Sequence, residues 1–322
     1  MKVVITDYQY EHISQEKSII EGAGHTLVAY QLKNATELIP LLRDADAVIT
    51  QYAEINDAVI SNMESCRIII KYGIGVNNID AVAAAKKGIY VCNVPDYGVE
   101  EVANHAVTML LMLAKKMPIL AEAFRNGDWG YSSVVPLQRF AGSTIGLMGF
   151  GRIPQLVAKK LGGFDVRLIA CDPFISKSAC EKLGVRPVLF DELIEQSDYI
   201  SIHCPLIPET EGMFNADVFK RMKVSSCIIN TARGPVIDQE VLITALQQGE
   251  IRGAALDVFE SEPLGMDSPL LHMDQVIATP HCAWYSEESI ATLQRKVAEE
   301  VVNVLNGNEP WNCTNRDLLK RS

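Results

Sequence analysis

Three polar residues in the second half of the chain sit just past strand-like runs: Arg233 in CIINTARGPVID, Glu262 in ALDVFESEP and His281 in VIATPHCAW. An imidazole can take up or give a proton near neutral pH. A carboxylate hydrogen-bonded to its other ring nitrogen would orient the ring and favour its protonated form. A guanidinium can pair with a carboxylate and polarise a carbonyl. Taken singly, each is an ordinary loop residue. Their shared position, just past the carboxyl ends of strand-like segments, is where open α/β sheets bind ligands.

A second pattern lies upstream. The stretch GLMGFGRIPQLVAKKLG begins at Gly146, and its strand-like STIGLMG is followed at once by a helix-like segment. That order suits a dinucleotide turn. Gly149 permits the tight bend, and Gly151 lets the backbone approach a pyrophosphate. The main-chain N–H groups of Arg152 and Ile153 are the candidate phosphate donors at the helix N-terminus. Pro154 stands where a third glycine is usual. In the first helical turn its missing N–H has no acceptor to lose, so the turn is expected to function, with the helix slightly further from the sheet. Asp172 ends the next apolar run, VRLIACDP, about 20 residues after Gly151, the spacing expected of an acid that binds the adenosine ribose. Its charge would repel a 2′-phosphate and so favour NAD over NADP.

The elements that must position these groups are legible as periodicity. KVVIT, TLVAY, DAVIT, RIIIKYG and YVCNV alternate with helix-like segments, and the alternation restarts after about residue 143 with TIGLMG, VRLIAC, YISIHC, CIINTA, GAALDV and VIATPH. Continuous apolar strands between helices indicate parallel sheets covered on both faces. Two such series predict two doubly wound α/β domains. The segment Val99–Met117 has acids early and lysines late, as a helix dipole prefers. Its apolar character runs nearly all round, so burial on more than one side is expected. A last helix, about Ser286–Leu305, follows the second series. If it packs on the first domain, that domain is discontinuous.

With 322 residues the chain is long enough for two domains, and the net charge of −11 with no dense Lys/Arg stripe speaks against nucleic-acid binding. MKVVITDYQYEH reads as a first strand and not as a signal peptide, and AVTMLLMLA is too short to span a bilayer. The eight cysteines show no C-x-x-C pairing and no zinc-ligand spacing. No metal site is therefore expected, and the cysteines read as reduced thiols of a cytoplasmic protein.

In order along the chain, KYGIGVNNID, NVPDYGVEEVANHA, GLMGFGRI, HCPLIPETEGMFN, NTARGPVID, ALDVFESEP and TPHCAWYSEE resemble the motifs of the D-isomer-specific 2-hydroxyacid dehydrogenases. AWYSEE and the Tyr52 segment TQYAEIN resemble most the branch that includes the C-terminal-binding-protein corepressors and their bacterial relatives. The phosphoglycerate-dehydrogenase-like members belong to the same neighbourhood. The resemblance implies a Rossmann NAD-binding domain, about 99–284, inserted in a flavodoxin-like substrate domain, about 1–98 with 285–322. It implies a cleft between them, with hinges near Tyr97–Val99 and Trp284–Ser286. It makes Arg233, Glu262 and His281 the catalytic residues, with His281 as proton donor or acceptor in hydride transfer between NAD(H) and a small 2-oxo or D-2-hydroxy acid. Relatives that oxidise formate carry Gln in place of Glu262.

By the same resemblance the backbone of Gly73, Ile74, Gly75 and Val76 would hold the substrate carboxylate, with Tyr52, Lys71 and Trp284 lining the pocket. Asp257 would bind the nicotinamide carboxamide and Thr231 would contact the nicotinamide side. Cys204, Pro205 and Thr210 would lie around the adenosine. Asn77, Asn104 and Pro154 depart from the family pattern; His105 reads as an ordinary, partly buried helical residue. A homodimer is expected, with the Val99–Met117 helix partly in the interface. The alternative function is an NAD(H)-sensing protein-interaction module like the corepressors. An L-specific dehydrogenase is disfavoured, because those place the cofactor domain first.

Overall fold

The computed structural model describes residues 1–320; the last two residues of the expected substrate domain, 321 and 322, lie outside the described residues. The chain divides into two compact units, Met1–Gly98 together with the chain from Ser286 onward, and Val99–Tyr285. Tyr285 falls in the second unit rather than the first, because its N–H closes a turn on the Cys282 carbonyl at 2.9 Å.

In the first unit five strands, β1 (Lys2–Ile5), β2 (Thr26–Ala29), β3 (Ala47–Thr50), β4 (Ile68–Lys71) and β5 (Tyr90–Cys92), form a parallel sheet in the order β2-β1-β3-β4-β5. This is the flavodoxin-like order. Register pairs Val4 with Val48, Val48 with Ile69, and Ile69 with Val91, so one apolar row crosses four strands. Leu38, Leu42, Val59 and Ile60 cover that face. The helix Glu287–Leu305 belongs to this unit and buries Leu293, Val297 and Val301. Ser286 caps it in a capping box with Ser289. The first unit is thus discontinuous in sequence.

The second unit carries β6 (Thr144–Met148), β7 (Arg167–Cys171), β8 (Val185–Pro187), β9 (Tyr199–Ile202), β10 (Cys227–Asn230), β11 (Gly253–Leu256) and β12 (Val276–Ala278), all parallel, in the order β12-β11-β10-β9-β6-β7-β8. Strand order reverses beside β6, at the switch point where such sheets place their ligands. Ile200, Ile228 and Leu256 pack on one face, and Ile145, Leu168 and Ile229 on the other. β8 is a seventh strand that the apolar runs do not announce. Only Val185 of its three residues is buried, and Pro187 is tolerated because the strand is an edge.

The helix expected over Val99–Met117 runs Val99–Lys115 and buries Val102, Ala103, Ala106, Met109, Leu110, Leu113 and Ala114. It breaks at Lys116, whose φ is +50°, and a new helix Met117–Arg125 starts with Pro118 in its first turn.

Candidate active site

The glycine turn follows β6. Gly149 has φ +93°, and a side chain there would place its Cβ 3.0 Å from the Cys204 amide nitrogen, so both the bend and the close approach require glycine. Gly151 is the N-cap of the helix Arg152–Leu161 and offers no capping side chain. The amides of Arg152 and Ile153 consequently have no acceptor among the described residues. A Cβ added at Gly151 would meet nothing within 4 Å, so the chain itself does not fill the space beside the start of this helix. Pro154 is the third residue of the helix and is buried; the helix forms around it. Gln155 reaches back to the Phe150 carbonyl with its Nε2 at 2.8 Å, a brace that the motif does not reveal.

Asp172 follows β7. Its Oδ2 accepts from the Phe150 amide and its Oδ1 from the Phe174 amide, each at 2.7 Å. The carboxylate thereby ties the glycine turn to its own loop. Past β9, buried Thr210 donates to the Pro205 carbonyl at 2.6 Å and accepts from the Ile207 amide at 3.0 Å, which fixes the loop that begins at Cys204. Thr231, beyond β10, buries its Oγ1 with no partner among the described residues. A buried hydroxyl lacking a partner, unpaired helix-terminal amides and open space where Gly151 has no side chain fit a polar, anionic dinucleotide.

Arg233, Glu262 and His281 are brought together by three loops at the carboxyl ends of β10, β11 and β12. Asn230, the last residue of β10, is buried; it accepts from the Ala232 amide at 3.0 Å and donates to the Arg233 carbonyl at 2.9 Å, shaping the turn that presents Arg233. Gly234 follows, and a Cβ there would lie 1.9 Å from the Phe259 carbonyl carbon. Glycine alone lets the Arg233 loop lie against the backbone of the Glu262 loop. Glu262 accepts from the Phe259 amide at 3.0 Å through Oε1 and meets His281 Nδ1 at 2.6 Å through Oε2. Burial pushes the Glu262 carboxyl up, but the hydrogen bond and charge of His281, the Phe259 amide and the Arg233 guanidinium together hold it below its ordinary range.

His281 itself has φ +52°, a left-handed conformation that costs a non-glycine residue on the order of 1–3 kcal/mol. Buried Asp257 holds it there: the Asp257 carbonyl accepts the His281 amide at 2.8 Å. The Asp257 carboxylate accepts from Thr279 Oγ1 at 2.6 Å and from the amides of Cys282 and Ala283, each at 2.9 Å. Trp284 Nε1 closes the loop on the His281 carbonyl at 3.0 Å. His105 extends the network, with Nε2 3.1 Å from Thr279 Oγ1. Nδ1 is thus engaged by Glu262, while Nε2 of the part-exposed ring has no partner among the described residues. His203 is no rival as a proton carrier, since burial pushes its imidazole down to about 3.

In the first unit the loop after β4 contains Gly73, with φ +148°; its amide donates to the Lys71 carbonyl at 2.9 Å and so, against expectation, is not left for a substrate carboxylate. Asn93 Nδ2 donates to the Ile74 carbonyl at 2.6 Å, and the amides of Ile74, Gly75 and Val76 have no acceptor among the described residues. Lys71 donates to the Gln51 carbonyl and to Asn78 Oδ1, and its ammonium lies 5.3 Å from the centre of the Tyr52 ring. The Tyr52 loop is clamped by buried Asp7, whose carboxylate accepts the amides of Gln51, Tyr52 and Ala53 at 3.1, 2.7 and 3.1 Å. The sequence shows Asp7 only as the end of an apolar run. Among the described residues, no group of three or more His, Cys, Asp or Glu could hold a metal, and no helix is long and apolar enough to cross a membrane.

Sheet order, glycine turn and the carboxylate after β7 define a dinucleotide-binding α/β unit. The family model described as "D-isomer specific 2-hydroxyacid dehydrogenase, NAD binding domain" matches residues 107–283, more than half of the chain, and the chain belongs to that family. It is 36% identical over 317 residues to a D-3-phosphoglycerate dehydrogenase of Methanocaldococcus jannaschii, a match covering 98% of this chain and 59% of that protein. The chain therefore spans little more than half the length of that relative. It is 35% identical over 288 residues to a glyoxylate reductase of Korarchaeum cryptofilum, which covers 88% of this chain and 86% of the relative. The D-lactate dehydrogenase of Aquifex aeolicus, solved with NAD and lactic acid, superposes with a TM-score of 0.87 at 27% identity over 99% of this chain and 98% of that one.

Proposed function

We propose that the protein is an NAD-dependent dehydrogenase acting on a small D-2-hydroxy acid and its 2-oxo acid. The observation that carries this reading is the His281–Glu262 contact of 2.6 Å beside Arg233, in a unit whose glycine turn offers unpaired amides. The bound nicotinamide would supply the hydride exchanged with C2 of the substrate. Arg233 would pair with the substrate carboxylate and polarise the keto oxygen; by family resemblance the amides of Ile74, Gly75 and Val76 are assigned to substrate as well. His281 gives its Nε2 proton to the oxygen as negative charge develops, while Glu262 orients the ring and stabilises its positive charge. Tyr52, Lys71 and Trp284 are assigned to substrate contacts.

The Arg152 and Ile153 amides, over Gly149 and Gly151, would hold the pyrophosphate. Asp172 would accept the ribose hydroxyls, with Cys204, Pro205 and Thr210 near the adenosine, and Thr231 would face the nicotinamide. Asp257 is assigned to the same side, although its carboxylate already holds the His281 loop. The test is a panel of 2-oxo acids assayed with NADH and with NADPH, in wild type and Asp172→Ala. Turnover with NADH preferred, and a narrower preference in the variant, supports the reading. A protein that binds NADH and turns over none of the panel would favour the NAD(H)-sensing alternative.

A homodimer in the cytoplasm completes the proposal. All eight cysteines are free, which suits a reducing compartment. Several exposed apolar side chains follow the Val99–Lys115 helix in one stretch of sequence, Phe124, Trp129 (91% exposed), Tyr131 and Val135, and it is there that we place the dimer contact. Light scattering should show a dimer at micromolar concentration that Trp129→Glu weakens; a monomeric wild type would overturn this assignment.

A further inference from the structure

Cys92 and Cys313 are far apart in the chain, yet they face each other across an isolated antiparallel bridge between β5 and the C-terminal segment. The Thr314 amide donates to the Val91 carbonyl at 2.8 Å, and the Asn93 amide to the Asn312 carbonyl at 3.3 Å. These two bonds flank the cysteines on either side, which makes them a non-hydrogen-bonded pair, the register that brings opposed side chains closest. Asn315 locks the register by accepting the Val91 amide at 2.9 Å and donating to the Ile89 carbonyl at 3.0 Å. Opposed Cα atoms in such a pair lie about 4.5 Å apart, inside the span that a disulfide bridges.

We propose that Cys92 and Cys313 form an intramolecular disulfide on exposure to a small disulfide oxidant such as oxidised glutathione, stapling the C-terminal segment to β5. The two thiols differ in the way a stepwise exchange requires. Cys313 is part-exposed and Cys92 is fully buried. The Cys313 thiol donates to Asn315 Oδ1 at 3.2 Å. The neighbouring Cys92 thiol, opposed by burial, holds Cys313 below the ordinary thiol range, while Cys92 itself is held above it, so Cys313 is the one to ionise first. Its thiolate attacks oxidised glutathione, forming a mixed disulfide and releasing one glutathione thiolate. Cys92 then loses its proton and attacks Cys313 Sγ, releasing the second glutathione. Two protein thiols are oxidised and one small disulfide is reduced to two thiols. The bond would close a very long loop, the case in which a cross-link most restricts the unfolded chain.

The test is intact-mass and non-reducing peptide mapping of the full chain after incubation with oxidised glutathione, for wild type, Cys313→Ser and Cys92→Ser. The expected result is a Cys92–Cys313 cross-linked peptide in wild type and a higher unfolding midpoint that dithiothreitol reverses. Cys92→Ser should stop at a Cys313–glutathione adduct, and Cys313→Ser should leave Cys92 unmodified. A wild type that stays at the glutathione adduct, pairs Cys313 with another cysteine or remains reduced would overturn the proposal, as would an unfolding midpoint unchanged by cross-linking. None of these readouts depends on turnover, so the proposal stands or fails separately from the dehydrogenase reading.

Discussion

The two ends of the seven-stranded sheet's binding edge are built on opposite principles. At the glycine turn the atoms we assign to the cofactor are main-chain amides, and what matters is the absence of side chains, at Gly149 for the bend and at Gly151 for the open space where a Cβ would stand. At the proposed triad the atoms we assign to the chemistry belong to side chains, and the backbone's part is to hold them in place, through Asn230 behind Arg233, Gly234 between two loops, and Asp257 behind a left-handed His281. The difference teaches where each kind of damage should register. Truncating a side chain at the triad should remove chemistry and leave cofactor binding. Adding an atom at the turn should do the reverse.

The largest expected effect is on His281. Because Nε2 is the ring nitrogen left available, His281→Ala should lower kcat by about 10²–10⁴-fold, the usual worth of general acid catalysis. NADH titrated by fluorescence should still bind with a near wild-type Kd. Turnover close to wild type on an active substrate would break the comparison at its catalytic end.

A smaller pair of effects distinguishes the two glycines. Gly151 has φ −75° and open space where a Cβ would go, so Gly151→Ala should fold with an unchanged melting temperature while weakening NADH by roughly tenfold, about 1.4 kcal/mol. Gly149→Ala must adopt a positive φ with its Cβ against Cys204 and should lose stability on the order of 1–3 kcal/mol. If Gly151→Ala binds NADH as wild type does, the space over the helix N-terminus is not where the pyrophosphate lies.

Much of this site could be read before the fold was known, and the reason is local. Apolar runs such as CIINTA mark a buried strand by themselves, and the residue just past each run is a loop residue at the ligand-bearing edge. Arg233, His281 and Asp172 announce themselves this way, and Glu262 lies within a few residues of such a run. The braces do not. Asn230 looks like an ordinary strand-end polar residue, and Asp257 reads only as a cofactor contact by resemblance, until their hydrogen bonds to the following loops are seen. Asp7 gains its meaning from amides more than forty residues later. Edge strand β8 is too short and too exposed to leave an apolar run. Cys92 and Cys313 become a pair only through a bridge that no spacing rule anticipates. The helix over Val99–Lys115 is legible in the sequence, but its break at Lys116 is not, because that break lies in a left-handed backbone and not in a change of residue pattern.

The smallest effect tests whether the triad's electrostatics follow its geometry. Glu262 is held below its ordinary carboxyl range in the folded protein, with burial opposing and His281, Phe259 and Arg233 favouring the charge. In the unfolded chain it returns to about 4.3. A depressed folded value means that the unfolded state binds the proton more readily, so the carboxylate contributes stability above the unfolded value and loses it as pH falls through the lower folded one. Glu262→Gln keeps an oxygen for the Phe259 amide but removes the charge facing His281. Wild type should therefore melt higher than Glu262→Gln near neutral pH, and the gap should close as the pH falls below about 4.3. The gap should be modest, because both side chains are about a third exposed and solvent screens the pair. It should also shrink with added salt. A gap that is constant across the acid range would mean that the 2.6 Å contact holds His281 by shape alone, and the contrast between a backbone-built turn and a charge-built triad would have to be redrawn.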